Sequence, residues 1–154
     1  MKSYTVTNII QSKRLVDAGL NLSTADLYLN VRVVKDYGAI EVYEDPYFIT
    51  RIEERNYITD HDHRYYAAAW SLGKLIQMMP DTIPSACDED GNKMPNDSTL
   101  FKLTIDRTSI KYVEDGGKCL LRANGSCLLE AAVRMVELLI NNFFFSYLED
   151  ESED

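Results

Sequence analysis

The sequence predicts an α+β fold: a mostly antiparallel sheet packed against a long C-terminal helix and two short N-terminal helices. Three observations predict it. From Leu128 onward apolar residues recur at helical spacing; between residues 30 and 122 β-branched and aromatic runs alternate with turn signals; and the first 30 residues carry two helix-capping signatures. The length of 154 residues suits a single globular domain, 1–148, followed by an acidic disordered tail at 149–154.

The first helix is predicted from Asn8 to Ala18. Asn8 can cap it, and Gln11, three residues on, can reach back in a capping box. Gly19 sits where a left-handed residue ends a helix, with Leu20 placed to pack on Leu15. A shorter helix is expected from Ser23, with Asp26 in the box position. Val31, Val33, Val34, Ile40, Val42 and Tyr43 then predict two antiparallel strands around a turn at Lys35-Asp36-Tyr37-Gly38. Residues 47–52 resemble a further strand after Pro46, whereas the charges from Asp60 to Arg64 suggest an exposed connection.

Ser71 caps the next helix. Trp70 precedes it where a hydrophobic staple would meet Leu75, and Pro80 stops it. Residues 81–99 look like a long polar loop. A β-meander follows in Leu100–Ile105, Ser109–Val113 and Lys118–Arg122. Gly116-Gly117 marks one of its turns. Asn124-Gly125-Ser126 opens the last helix, with Ser126 as cap, and that helix is expected to run to about Leu148. One face carries Leu129, Ala132, Val133, Val136, Leu139, Ile140 and Phe143. The other carries Glu130, Arg134, Glu137 and Asn141, with Glu130 and Arg134 forming a favourable i,i+4 pair.

Composition narrows the function. The formal net charge is −9, and five of the last six residues are acidic, so the tail carries more than half of it. The longest basic grouping is Lys13-Arg14, which argues against direct nucleic-acid binding. Ten tyrosines against five phenylalanines and one tryptophan suit half-buried positions and contact surfaces. Cys87, Cys119 and Cys127 are odd in number and form no C-x-x-C pair, which fits small core residues in a reducing cytoplasm. The opening MKSYTVTNIIQSKR lacks the apolar run of a secretion signal. The most apolar stretch, Leu128 to Leu148, is broken by Glu130, Arg134 and Glu137, so no membrane span is expected.

Three pieces of the chain carry a resemblance. They are Gln11-Ser12-Lys13-Arg14-Leu15 through Gly19-Leu20 to Thr24-Ala25-Asp26; Ala69-Trp70-Ser71-Leu72 leading to Met79-Pro80; and Leu129-Glu130-Ala131-Ala132-Val133. In these pieces the chain resembles a group of short proteins encoded by gut Bacteroides-type bacteria, their phages and mobile elements. That group has no established activity, so the resemblance implies a genomic setting and carries over no site residues.

Asp60-His61-Asp62-His63 is the one cluster with metal-ligand chemistry, and both histidines of the chain lie in it. Two histidines at i,i+2 supply only two ligands, and no third can be named. Asp88-Glu89-Asp90-Gly91-Asn92 resembles an EF-hand loop but places Ala86 where the first acidic ligand is required. Ser71 and Ser126 are expected caps, no nucleophile elbow surrounds any serine, and no glycine-rich phosphate loop exists. No catalytic, cofactor-binding or metal residue is therefore assigned.

Phe143-Phe144-Phe145, with Tyr147 and Leu148, is the oddity. On a helix these positions cover the whole circumference, so some rings should leave the core face and mark a contact between chains. The expectation is a non-enzymatic interaction or accessory protein, phage- or mobile-element-associated, forming a homo-oligomer (a dimer) through the Phe143–Leu148 region. One alternative is a metal-dependent enzyme using His61, Asp62 and His63. Another is an acidic mimic that occupies a host nucleic-acid-binding protein.

Overall fold

The computed structural model describes residues 5–36, 39–48, 58–59, 64–86, 90 and 99–144; within 30–66 only the backbone of the strands is described. The fold is α+β, with two antiparallel sheets in place of the one expected. In chain order the elements are α1 (Ile9–Ala18), β1 (Leu27–Asp36), β2 (Ala39–Phe48), β3 (Ile58–Thr59), β4 (Arg64–Ala69), α2 (Leu72–Met78), β5 (Thr82–Pro84), β6 (Leu100–Ile105), β7 (Ser109–Val113), β8 (Cys119–Asn124) and α3 (Leu128–Asn141). One sheet has the order β2-β1-β4-β3 and the other β5-β6-β7-β8.

Local chemistry explains α1. Asn8 Oδ1 accepts from the Gln11 backbone N–H at 2.8 Å, and Gln11 Oε1 accepts from the Asn8 backbone N–H at 3.0 Å, completing the capping box. Gly19 is left-handed at φ 113; the Leu20 N–H reaches the Leu15 carbonyl and the Gly19 N–H that of Val16, each at 3.0 Å. Leu15 and Leu20 are both buried, as a Schellman ending requires. The second expected helix is shorter and differently capped: a single 3-10 turn at Leu22–Thr24, capped by Asn21. Asp26 does not return to Ser23. Its carboxylate accepts from the Ser71 backbone N–H at 2.8 Å and from the Ser71 hydroxyl at 2.5 Å. A long-range partner at the start of α2 has replaced the local one.

Strand β1 pairs with β2 from Leu27↔Phe48 to Asp36↔Ala39, so Lys35 and Asp36 of the expected turn belong to the strand, and Tyr37 and Gly38 lie outside the described residues. Pro46 stands inside β2 rather than interrupting it, which an edge strand tolerates. β4 fills the other side of β1, from Leu27↔Ala69 to Arg32↔Arg64. Arg64 therefore begins a strand and is not part of a connection. Within the expected 81–99 loop, Thr82–Pro84 is a strand: it pairs with Leu100–Lys102, and Ile83 is fully buried.

Helix α3 is the element the core is built around. It packs on β7 and β8 and also meets α1 and α2. Leu129, Ala131, Ala132, Val133, Met135, Val136 and Leu139 are all buried. They join Ile110, Tyr112 and Ala123 of the meander with Leu15, Trp70, Leu75 and Met78 from the opposite side in one cluster. Trp70 and Leu75 are both fully buried, the staple expected at the start of α2.

Both ends of α3 differ from expectation. Its N-cap is Cys127, which makes no side-chain cap bond, and not Ser126. Gly125 lets the chain enter so closely that a Cβ there would meet Ala131 N at 2.6 Å. At the other end the helix stops at Asn141 instead of continuing to Leu148.

Candidate functional site

Of the residues singled out for chemistry, His61, Asp62 and His63 lie outside the described residues, as do Cys87, Asp88, Glu89, Gly91 and Asn92; Asp90 is an exposed turn residue. Among the described residues no group of three or more His, Cys, Asp or Glu is placed to hold a metal ion. Cys119 is exposed and Cys127 half-buried, so Cys119 is not the core residue expected. Ser71 is held as a cap: its hydroxyl oxygen accepts from the Lys74 N–H at 3.1 Å while its proton goes to Asp26.

The polar side chains that are most enclosed join elements together. Thr7 and Ser12 share a 2.8 Å hydroxyl contact, the Trp70 N–H donates to Thr7 Oγ1 at 3.0 Å, and the Trp70 indole donates to Thr24 Oγ1 at 2.9 Å. The Tyr112 hydroxyl donates to the Pro80 carbonyl at 2.7 Å. Burial, with the charge of Asp81 added, raises its pKa well above the ordinary tyrosine value.

Between α1 and α3 lies a charged clamp. Glu130 accepts from Arg14 and from the Gln11 amide, each at 2.7 Å, and from Arg134 at 3.2 Å, while Arg14 also donates to Glu137. Glu130 and Glu137 on the polar face of α3 are thus partly covered by α1, while Arg134 and Asn141 stay exposed. Burial pushes the Glu130 carboxyl up, but the bonds from Arg14 and Gln11 and the Arg14 charge outweigh it and leave the group below its ordinary value. Arg14 leaves the basic pair with Lys13 to serve this clamp, and the Glu130 bond holds its charge more firmly than usual.

Two surfaces remain. The first is the end of α3. The Phe144 N–H reaches the Leu139 carbonyl at 2.7 Å and the Phe143 N–H that of Ile140 at 3.1 Å, a second Schellman pattern. Phe144 is buried beside Leu139 in the core cluster, as the residue after the left-handed position should be. The left-handed position itself, φ 66, is taken by Phe143, whose side chain is 39% exposed. Phe145, Tyr147 and Leu148 lie outside the described residues. The expectation that Phe143 and Phe144 stand on a helix running to about Leu148 therefore does not hold, because the chain has left the helix after Asn141.

The second surface went unnoticed in the sequence. Ile110, Tyr112 and Ala123 turn toward α3, so the alternate positions of the meander form the outer face. There Thr104 stands opposite Lys111, Lys111 opposite Arg122, and Lys102 opposite Val113. Three cations from three strands share this face, and none of its strand positions is acidic. Among the described residues Lys102 meets only Asp115, at 3.6 Å and with both side chains exposed, while Lys111 and Arg122 make no ion pair. The signal was available only through register: 102, 111 and 122 are too far apart to read as a basic run.

No protein-family model, no curated protein and no solved structure matches the chain, so its fold and surfaces carry the functional reading alone. No helix among the described residues is long and apolar enough to cross a membrane.

Proposed function

We propose that the chain is a non-enzymatic interaction protein that pairs with a second copy of itself through the surface around Phe143. The observation that carries this reading is the double cost at that one residue. A phenylalanine occupies a left-handed backbone position that glycine fills far more easily, and part of its ring stands in water. Strained backbone of this kind persists where its surroundings over-determine it, and it clusters at binding sites. A ring covered by a partner recovers the burial that the isolated chain forgoes. A symmetric dimer is the commonest closed form such a contact takes. The resemblance to short proteins of gut Bacteroides-type bacteria, their phages and mobile elements supplies the proposed setting, an accessory role in such an element.

Sedimentation velocity across a hundredfold concentration range tests the reading. The wild type is expected to shift toward a dimer with concentration, and Phe143→Gly to remain a monomer with an unchanged fold. A wild type that stays monomeric throughout, or a variant that dimerises equally well, overturns it.

A further inference from the structure

The outer face of β6, β7 and β8 gathers three cations in a chain of net charge −9, and among the described residues only Lys102 has an ion-pair partner, Asp115. Lys111 and Arg122 stand directly across from one another, an arrangement that strand pairing disfavours unless a negative charge lies over it. Thr104 and Asn124 add polar groups to the same face, and Asn124 Oδ1 accepts from Arg122 Nε at 3.2 Å, which orients the guanidinium. Cations set on three neighbouring strands suit an extended acidic segment better than a compact ligand.

We infer that this face docks the chain's own acidic segment, residues 149–154, in which Glu149, Asp150, Glu151, Glu153 and Asp154 lie over Lys102, Lys111 and Arg122. Charge complementarity is the first argument, because five carboxylates in six residues face three cations on strand positions among which none is acidic, Asp115 of the adjoining turn being the one carboxylate that reaches them. Reach is the second. Helix α3 lies on the opposite face of the same sheet, against β7 and β8, and β8 is an edge strand. Five to ten residues beyond Phe144 span roughly 17–35 Å when extended, enough to round that edge across a layer about 10 Å thick. Tethering is the third. Because the segment belongs to the same chain, a connection of a few residues holds it at high effective concentration, whereas a separate polyanion must approach against the repulsion of the whole chain. This inference is independent of the Phe143 surface and concerns a single chain.

Carbodiimide coupling, which joins carboxylates to lysine amines only in direct contact, tests it on the full chain at low salt. An equal mixture of isotopically heavy and light protein is used, with products mapped by mass spectrometry. Links from residues 149–154 to Lys102 or Lys111 within one chain are expected, with yield falling about fivefold as salt rises from about 0.01 M to about 1 M. Links distributed evenly over Lys13, Lys74 and Lys118, or links joining heavy to light chains, overturn the inference. A second measurement guards against poor coupling chemistry. Removal of residues 149–154 is expected to shift the amide resonances of Lys111 and Arg122, and the free peptide Leu-Glu-Asp-Glu-Ser-Glu-Asp to restore them. Resonances that do not move on removal also overturn it.

Discussion

Replacing Phe143 by glycine separates two ways in which the last helix can end, and the structure supplies the magnitudes. With φ at 66, Phe143 carries the left-handed penalty of a residue with a Cβ, about 1–2 kcal/mol, which glycine relieves. Its side chain is 39% exposed, so glycine also forfeits part of the about 1.5–3 kcal/mol that full burial of a phenylalanine contributes, roughly 1–2 kcal/mol. The two contributions oppose each other, and the net change is expected within about 1 kcal/mol. Were residue 143 inside a helix running on to Leu148, glycine would add a propensity cost of about 1 kcal/mol to the lost burial. The total loss would then be roughly 2–3 kcal/mol. Urea unfolding at low micromolar concentration measures the difference, and Trp70, the only tryptophan and fully buried, is the fluorescence probe. A loss above about 2 kcal/mol would refute the left-handed ending on which the dimer proposal rests.

Gly125→Ala is expected to cost about 2–3 kcal/mol in the same assay. Its Cβ would lie 2.6 Å from Ala131 N and 2.9 Å from the Cys127 carbonyl, so the entry to α3 has to shift. Glu130 sets an acid limb. Its folded value lies below its unfolded one, so its contribution is present above the ordinary glutamate pKa of about 4.3 and is lost as pH falls through the folded value. Wild type and Glu130→Gln should therefore differ at neutral pH and converge in acid, as a stability titration would show. Tyr112 sets an alkaline limb in the opposite sense. Its folded value is raised, so its contribution is present below about pH 10 and declines as pH rises beyond it. Tyr112→Phe should flatten that decline and cost about 1 kcal/mol at neutral pH, the net worth of the bond to Pro80.

What the sequence revealed followed the range of the interactions involved. The α1 capping box, the Gly19 ending with Leu15 and Leu20, and the Trp70–Leu75 staple are contacts over three to five residues, and each formed as read. The misses came where a distant partner displaced a local one. Asp26 was read as completing a second helix but accepts from Ser71, the cap of α2, 45 residues away. In Arg64–Ala69 the strand preference of Tyr65 and Tyr66 is diluted by three alanines, and pairing with β1 makes the segment a strand. Thr82–Pro84 resembled loop because its pairing with β6 is invisible without the register. The end of α3 was missed for another reason. Left-handed endings are signalled by glycine or asparagine, and here a phenylalanine takes the position while Phe144 returns to the core. The cationic face was hidden in the same way as β5, since three lysines and arginines on separate strands meet only once the meander is paired.

The central claim is that α3, enclosed by the meander on one side and by α1 and α2 on the other, binds both halves of the molecule into one cooperative core. Native-state hydrogen exchange on the amides of residues 131–139 tests it most directly. These amides should be the slowest in the chain and should exchange only through global unfolding, with the denaturant dependence of the full transition. Should they exchange through a smaller opening while the amides of Ser109–Val113 stay protected, α3 would be a covering layer and the claim would be wrong.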